Sequence, residues 1–171
     1  MSKAFTRESD DEMPERPTAL PPPSALPPGA KNYLTPGGAE KLRNELHQLL
    51  EVERPRLAAL AETDDARRQL PAIDLRIRQL QASLQSAVIT PPPATPDDRV
   101  RFGATVTVRE QDGTETNYRI VGVDETDLDR DWVNWLSPIA KALLNAQLGH
   151  KVRFKFPSGE KELEIIRIDY D

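Results

Sequence analysis

The chain has 171 residues, room for one ordinary domain or two small ones. Hydrophobic residues make up 37% and aromatics 5%, against 30% charged residues and 16 prolines, so apolar material is too scarce for one large core and compact parts beside solvated segments are expected. Zero cysteines and two histidines exclude disulfides, thiol nucleophiles and the usual zinc sets, and a net charge of -5 argues against wrapping nucleic acid through phosphate neutralisation.

No apolar run approaches the ~18 residues of a membrane span, so no membrane partner is expected. The opening Met-Ser-Lys-Ala-Phe-Thr-Arg-Glu-Ser-Asp lacks the apolar middle of a secretory signal, which makes the cytoplasm the expected compartment. Charge is uneven along the chain: residues 1–33, 34–88 and 89–171 carry -1, 0 and -4.

Residues 1–31 hold the runs Pro21-Pro22-Pro23 and Pro27-Pro28 with hardly any large side chain to bury, which predicts a disordered tail of polyproline character. Order is expected to begin near Asn32-Tyr33-Leu34-Thr35-Pro36, where Thr35 suits a helix N-cap and Pro36 its first turn. Leu42, Leu46, Leu49, Leu50, Leu57 and Leu60 then recur at helical spacing. Leu70, Ile73, Ile77, Leu80, Leu84 and Ala87 advance by alternating threes and fours, the seam of a two-helix coiled coil. Two such stripes close in sequence predict an antiparallel helical hairpin over 32–90, its arms about 36–61 and 65–88, with all these apolar residues in its core. Pro55 and Pro71 fall inside helical pattern, where each removes a hydrogen bond, so a kink or break is expected at both.

Pro91-Pro92-Pro93-Ala94-Thr95-Pro96 predicts a stiff linker over 91–98 and a domain boundary. Beyond it, alternation from Ala104 to Val108, a turn at Gln111-Asp112-Gly113 and a return through Tyr118, Ile120 and Val123 predict a β-hairpin. Trp132 to Leu136 reads as a further strand, and Ser137-Pro138 opens a short helix through Leu143 and Leu144 that Gly149 is expected to stop. Lys151 to Phe156 and Glu162 to Ile168 complete about five strands and one helix, an α+β fold over 99–171.

No phosphate-binding glycine loop, dinucleotide fingerprint or nucleophile elbow is present, and His47 and His150 have no convincing triad partners, so a self-contained enzyme is not expected. Glu62, Asp64 and Asp65 stand where the helices must reverse. Carboxylates there can help hold a hard cation such as Mg²⁺ belonging to another molecule. The plainer reading is local: Thr63 caps the second helix and the acids favour its positive N-terminus. Arg67 and Arg68, with Arg76 and Arg78, form a modest basic strip able to touch RNA phosphate or simply to solvate the helix.

Several stretches carry a resemblance. They are Tyr33-Leu34-Thr35-Pro36-Gly37-Gly38, Leu42-Arg43-Asn44-Glu45-Leu46, Glu53-Arg54-Pro55, Ile73-Asp74-Leu75-Arg76-Ile77-Arg78 and Phe102-Gly103-Ala104-Thr105-Val106. Further on come Arg119-Ile120-Val121-Gly122-Val123-Asp124-Glu125 and, most specific of all, Ser137-Pro138-Ile139-Ala140-Lys141-Ala142-Leu143-Leu144. From about residue 31 to the end the chain resembles the Gre family of bacterial transcript-cleavage factors, its GreB branch in particular, and Ser2-Lys3-Ala4-Phe5 looks like the tail of some members.

The resemblance implies an FKBP-like, antiparallel C-terminal β domain that docks at the rim of the RNA polymerase secondary channel while the hairpin enters it. Leu136, Ser137 and Pro138 would lie at the docking surface, nucleic acid would be met only through the polymerase, and any Mg²⁺ would be the polymerase's, the chain holding no cofactor of its own. Such a protein at most stimulates the polymerase's own cleavage activity. The family's tip motif, Asp-x-x-Glu-Asn, is absent, the hairpin is shorter by about a dozen residues between Pro55 and Ile73, and Leu136 stands where the GreB pattern has an acid. The expected function is therefore elongation regulation without efficient cleavage. The alternatives are a GreB-type cleavage factor with a variant acidic tip, a regulator resembling Rnk, the nucleoside diphosphate kinase regulator, and a generic interaction module.

Overall fold

The computed structural model describes residues 26–95 and 97–170. Most of the tail expected over 1–31 lies outside the described residues. The chain is α+β, and its first element is a short strand, β1 (Asn32–Leu34), followed by α1 (Pro36–Gln48), one π-helical turn (Leu49–Glu53), α2 (Arg54–Ala59), α3 (Asp64–Ser86) and strand β2 (Ala87–Ile89). The expectation of helix alone over 32–90 is thus corrected. Val88, Ile89 and the prolines beyond favour extended chain, and β2 pairs in parallel with β1, Tyr33 opposite Val88.

Thr35 caps α1, its hydroxyl accepting from the Gly38 N–H at 3.0 Å with Pro36 opening the first turn. The two helical arms run in opposite senses along each other. Asn32 donates to the Ser83 carbonyl at 3.0 Å, Arg76 bonds both carboxylate oxygens of Glu45 at 2.6 and 2.8 Å, and Arg54 meets Asp74 at 2.7 Å.

The disturbance expected at Pro55 takes the form of the π turn just before it. Spacing by threes and fours from Leu49 would aim Glu53 and Arg56 at α3. A π turn absorbs one extra residue and rotates the stripe, so Leu57 is 3% exposed instead. The same rotation corrects the expected core, because Leu50 is 37% exposed and Leu60, in the turn, 48%. At Pro71 no break occurs: α3 is continuous through it, and the residue is exposed.

The second part is a five-stranded sheet of β3 (Ala104–Arg109), β4 (Glu115–Val121), β5 (Trp132–Asn134), β6 (Lys151–Phe156) and β7 (Gly159–Tyr170) in the order β5-β4-β3-β7-β6, with α4 (Pro138–Leu143) packed against it. It is not wholly antiparallel, since β5 runs parallel to β4. The chain gets from one to the other through two 3₁₀ turns, Val123–Glu125 and Leu128–Arg130, so Val123 leaves the return strand where it was expected. Leu136 also leaves its strand, which ends at Asn134. Helix α4 stops at Leu143, well before Gly149, because Asn145 adopts a left-handed φ of 66°; Gly149 instead turns the chain into β6. A bulge on β7 opposite Thr107 and Val108 leaves Ile166 as the extra residue, which lets Ile165 and Ile168 both face the core.

Two buried clusters form, sharing no residue. Leu34, Ala39, Leu42 and Leu80 hold the helices together, whereas Val106, Ile120, Leu143, Leu163 and Ile165 fill the space between the sheet and α4. Residues 91–171 are accordingly expected to fold alone, since their core draws on nothing before Val100. Dispersed amide resonances and a cooperative melt of that fragment are the expected result; a collapsed, undispersed spectrum would refute it.

Candidate functional site

Three places hold the residues singled out from sequence or tie the two parts together: the junction between helices and sheet, the turn between α2 and α3, and the start of α4. At the junction, Glu125 is the hub. Its carboxylate accepts from the Thr35 N–H at 2.9 Å, from the Thr35 hydroxyl and from the Gly122 N–H at 3.0 Å. Asp124 accepts from the Ser83 hydroxyl, and Ser83 in turn accepts from Asn32. Neighbouring Arg76 has its pKa raised, first by its hydrogen bond to Glu45 and further by the fields of Glu45 and Asp124. Tyr33 inserts from β1 between rings of the second part, its centroid 5.7 Å from Phe102 and 5.2 Å from Trp135 in an edge-on contact.

Two glycines make that approach possible. A Cβ on Gly38 would lie 1.9 Å from the Glu125 carboxylate, and one on Gly122 would lie 2.1 Å from the Tyr33 carbonyl. Polar pins at Glu125 and Asp124, with Tyr33 as a wedge, hold the helical arms at a set angle to the sheet.

At the far end, Thr63 accepts from the Ala66 N–H at 3.3 Å, capping α3, and donates to the Leu60 carbonyl at 2.8 Å. Glu62, Asp64 and Asp65 are all exposed. Asp64 lies 3.9 Å from Arg67, and Asp65 accepts from Gln69 at 2.8 Å, so both acids serve the first turn of α3. Arg67 also donates to the Ala61 carbonyl at 3.2 Å, tying down the turn, while Arg68 is exposed beside it. Among the described residues no group of three or more His, Cys, Asp or Glu side chains is placed to hold a metal ion. The turn thus brings Glu62, Asp64 and Asp65 together with Arg67 and Arg68, the local helix-capping role of Asp64 and Asp65 visible in the geometry, whereas Arg76 is drawn away to Glu45 on α1.

At the start of α4, the Ser137 hydroxyl accepts from the Ala140 N–H at 3.2 Å and Pro138 occupies the first helical position, exposed. Leu136 and Ser137 are half-buried beside it, and the Leu136 N–H donates to the Asn134 side chain at 3.1 Å. His47 and His150 are exposed and far from any of these groups in sequence.

Residues 95–170 match the family model described as the C-terminal part of transcription elongation factors GreA and GreB. Transcription elongation factor GreB of Neisseria meningitidis serogroup B is 37% identical over 154 residues, covering 82% of this chain and 94% of that protein. The chain belongs to the GreA/GreB family. It is GreB-like in character, although transcription elongation factor GreA of Alkalilimnicola ehrlichii is also 40% identical over 156 residues, covering 82% of this chain and 99% of that protein. The solved GreA/GreB elongation factor from Nitrosomonas europaea is 22% identical, covers 82% of this chain and 100% of that one, and superposes with a TM-score of 0.41, too loose to carry an argument about shape.

In this GreA/GreB chain both ends of the helical arms are legible in the sequence, whereas what joins them to the sheet is not. Gly38 and Gly122 stood inside the resembling stretches without a stated role. A signal was there: glycine in the first turn of a helix and at the end of a buried strand is locally unfavourable, which points to a close approach from elsewhere.

Proposed function

We propose that this GreA/GreB protein is an elongation regulator that binds bacterial RNA polymerase at its secondary channel without efficiently stimulating transcript cleavage. In this reading the sheet and α4 form an FKBP-like domain that docks at the channel rim through Leu136, Ser137 and Pro138, and the two helical arms are a coiled-coil hairpin that enters the channel. The carrying observation is the turn itself, where the family's paired acids are replaced by Glu62, Asp64 and Asp65, two of which are engaged with their own helix. A shorter hairpin would account for the length of the match to a relative. The match to Neisseria GreB spans 154 positions but takes in 82% of 171 residues, about 140, so about 14 positions of that relative have no counterpart here.

Removing about six residues per arm withdraws the tip by roughly 10 Å at ~1.5 Å per residue. Occupancy of the channel survives such a loss, because it depends on the docking surface and the rod rather than on the last turn. Catalytic metal and nucleic acid belong to the polymerase in this account, and Arg67 and Arg68 would meet RNA only inside that complex. Competition tests it: with core polymerase and a labelled full-length GreB, this protein is expected to displace the label in a saturable way. No displacement at concentrations far above those at which GreB displaces itself would refute polymerase binding at that site.

A further inference from the structure

The sheet has a second face that the docking account leaves unused. Over the paired stretches at this end of the sheet core side chains alternate with outward ones, and the register places Trp132, Arg119, Thr105 and Asp169 in one outward row across β5, β4, β3 and β7. Asn117, Thr107 and Arg167 form the next row. These residues, with Arg130 from the second 3₁₀ turn, line a shallow trough of about 510 Å³ on the outer surface.

Arginine and tryptophan dominate its chemistry. Arg119, Arg130 and Arg167 line it with Asp169, Arg167 pairing with Asp169 and Arg130 with Asp127. Arg119 lies 4.7 Å and Arg130 5.6 Å from the centre of the Trp132 ring, so planar cations and a planar aromatic are gathered at one end of the trough. Arg130 and Arg167 are 65% and 70% exposed, and their ion pairs with Asp127 and Asp169 are surface pairs that a competing anion exchanges at little cost. Thr107 donates to the Asn117 side-chain oxygen at 2.7 Å, which leaves the Asn117 amide nitrogen as a donor along the floor.

We propose that this outer face binds single-stranded nucleic acid, phosphates meeting Arg130 and Arg167 and a base stacking on the Trp132–arginine cluster. Charge complementarity and open shape select that occupant. An open trough carrying arginines with exchangeable ion pairs and a stacking surface at one end fits an extended strand, whereas an enclosed mononucleotide would need walls on more sides, and a rigid duplex presents no unstacked base. The site is distinct from the hairpin turn and from α4, and the proposal does not depend on polymerase binding.

Fluorescence anisotropy of the whole purified protein with labelled, unstructured 12-nucleotide RNA and DNA strands, and with a duplex, tests it at about 50 mM salt. Expected is saturable binding of a single strand, weaker duplex binding, and an affinity falling with salt at a log–log slope of about -1.5 to -2, the value for two to three neutralised phosphates. The double substitution Arg130→Gln/Arg167→Gln is expected to weaken binding about tenfold or more while melting like the parent. Lys31→Gln/Arg43→Gln, an equal loss of charge on exposed residues elsewhere, leaves binding within about twofold. RNA and DNA arms distinguish the two sources of strand. Absence of binding, equal preference for duplex, or equal effects of the two double substitutions each overturns the proposal. So does a face that proves to be a protein contact, where Arg130→Gln/Arg167→Gln lowers core polymerase retention with no strand binding by the parent.

Discussion

Gly122→Ala is expected to loosen the joint between the helical arms and the sheet, destabilising the protein by roughly 1–3 kcal/mol, the range for forced overpacking. The cause is steric alone. Gly122 has an ordinary φ of -66°, so alanine brings no backbone strain, but its Cβ would lie 2.1 Å from the Tyr33 carbonyl, 2.8 Å from the Glu125 carboxylate and 3.0 Å from Leu34. A backbone carbonyl inside a paired strand cannot swing aside as a side-chain tip does, so β1 must retreat, taking Tyr33 from Trp135 and the Thr35 N–H from Glu125. At about 2–4 °C per kcal/mol for a chain of this size, the melting temperature falls by several degrees. Amide exchange at Thr35 accelerates with it. Gly37→Ala is the internal control: nothing lies within 4 Å of its Cβ, and alanine suits a helix better than glycine, so that variant is as stable as the parent or slightly more. Equal losses at the two positions would refute the tight approach described for Gly122.

On the docking surface proposed above, Pro138→Asp is expected to weaken core polymerase binding about tenfold or more while leaving the fold intact, the effect of a carboxylate placed in an interface that must shed water. Fold neutrality makes the test clean. Pro138 is exposed at the first position of α4, the Ser137 cap does not use its side chain, and an acid in a first turn interacts favourably with the helix N-terminus. Thermal unfolding of the variant within about 0.5 kcal/mol of the parent confirms that comparison. Unchanged retention on immobilised polymerase would move the docking surface away from α4.

Features written in contiguous residues were legible before the structure. Thr35, Thr63 and Ser137 each cap the helix that follows because the cap, its acceptor and the first turn lie within four residues. Strand alternation placed β3, β6 and most of β7 for the same reason, and Gly113 with φ 89° turns β3 into β4 where expected. Long-range features were not legible. The parallel pairing of β1 with β2 joins segments 55 residues apart, and three-residue strands leave no period to detect. Parallel pairing of β5 with β4 likewise depends on the crossover through the 3₁₀ turns. The π turn at Leu49–Glu53 hid behind a stripe of leucines that looks continuous, and only its rotation reveals why Leu57 is buried and Leu50 is not. At the candidate sites, the acids and arginines of the turn were found as residues, whereas the Glu125 hub was not, because its three donors come from segments 90 positions and 3 positions away.

Cleavage of RNA in backtracked elongation complexes tests the central claim most directly. Metal ligation by carboxylate oxygen requires approach to about 2.0–2.6 Å, which a tip withdrawn by roughly 10 Å, as proposed, would not reach; through water the field of Glu62, Asp64 and Asp65 would be largely screened beyond a Debye length of about 8 Å. The account predicts cleavage by polymerase with this protein no faster than by polymerase alone, suppression of the stimulation given by an authentic GreB, and no change on substituting Asp64→Ala/Asp65→Ala. Robust cleavage by the parent that disappears in the double variant would contradict it and assign the exposed acids of the turn to the metal.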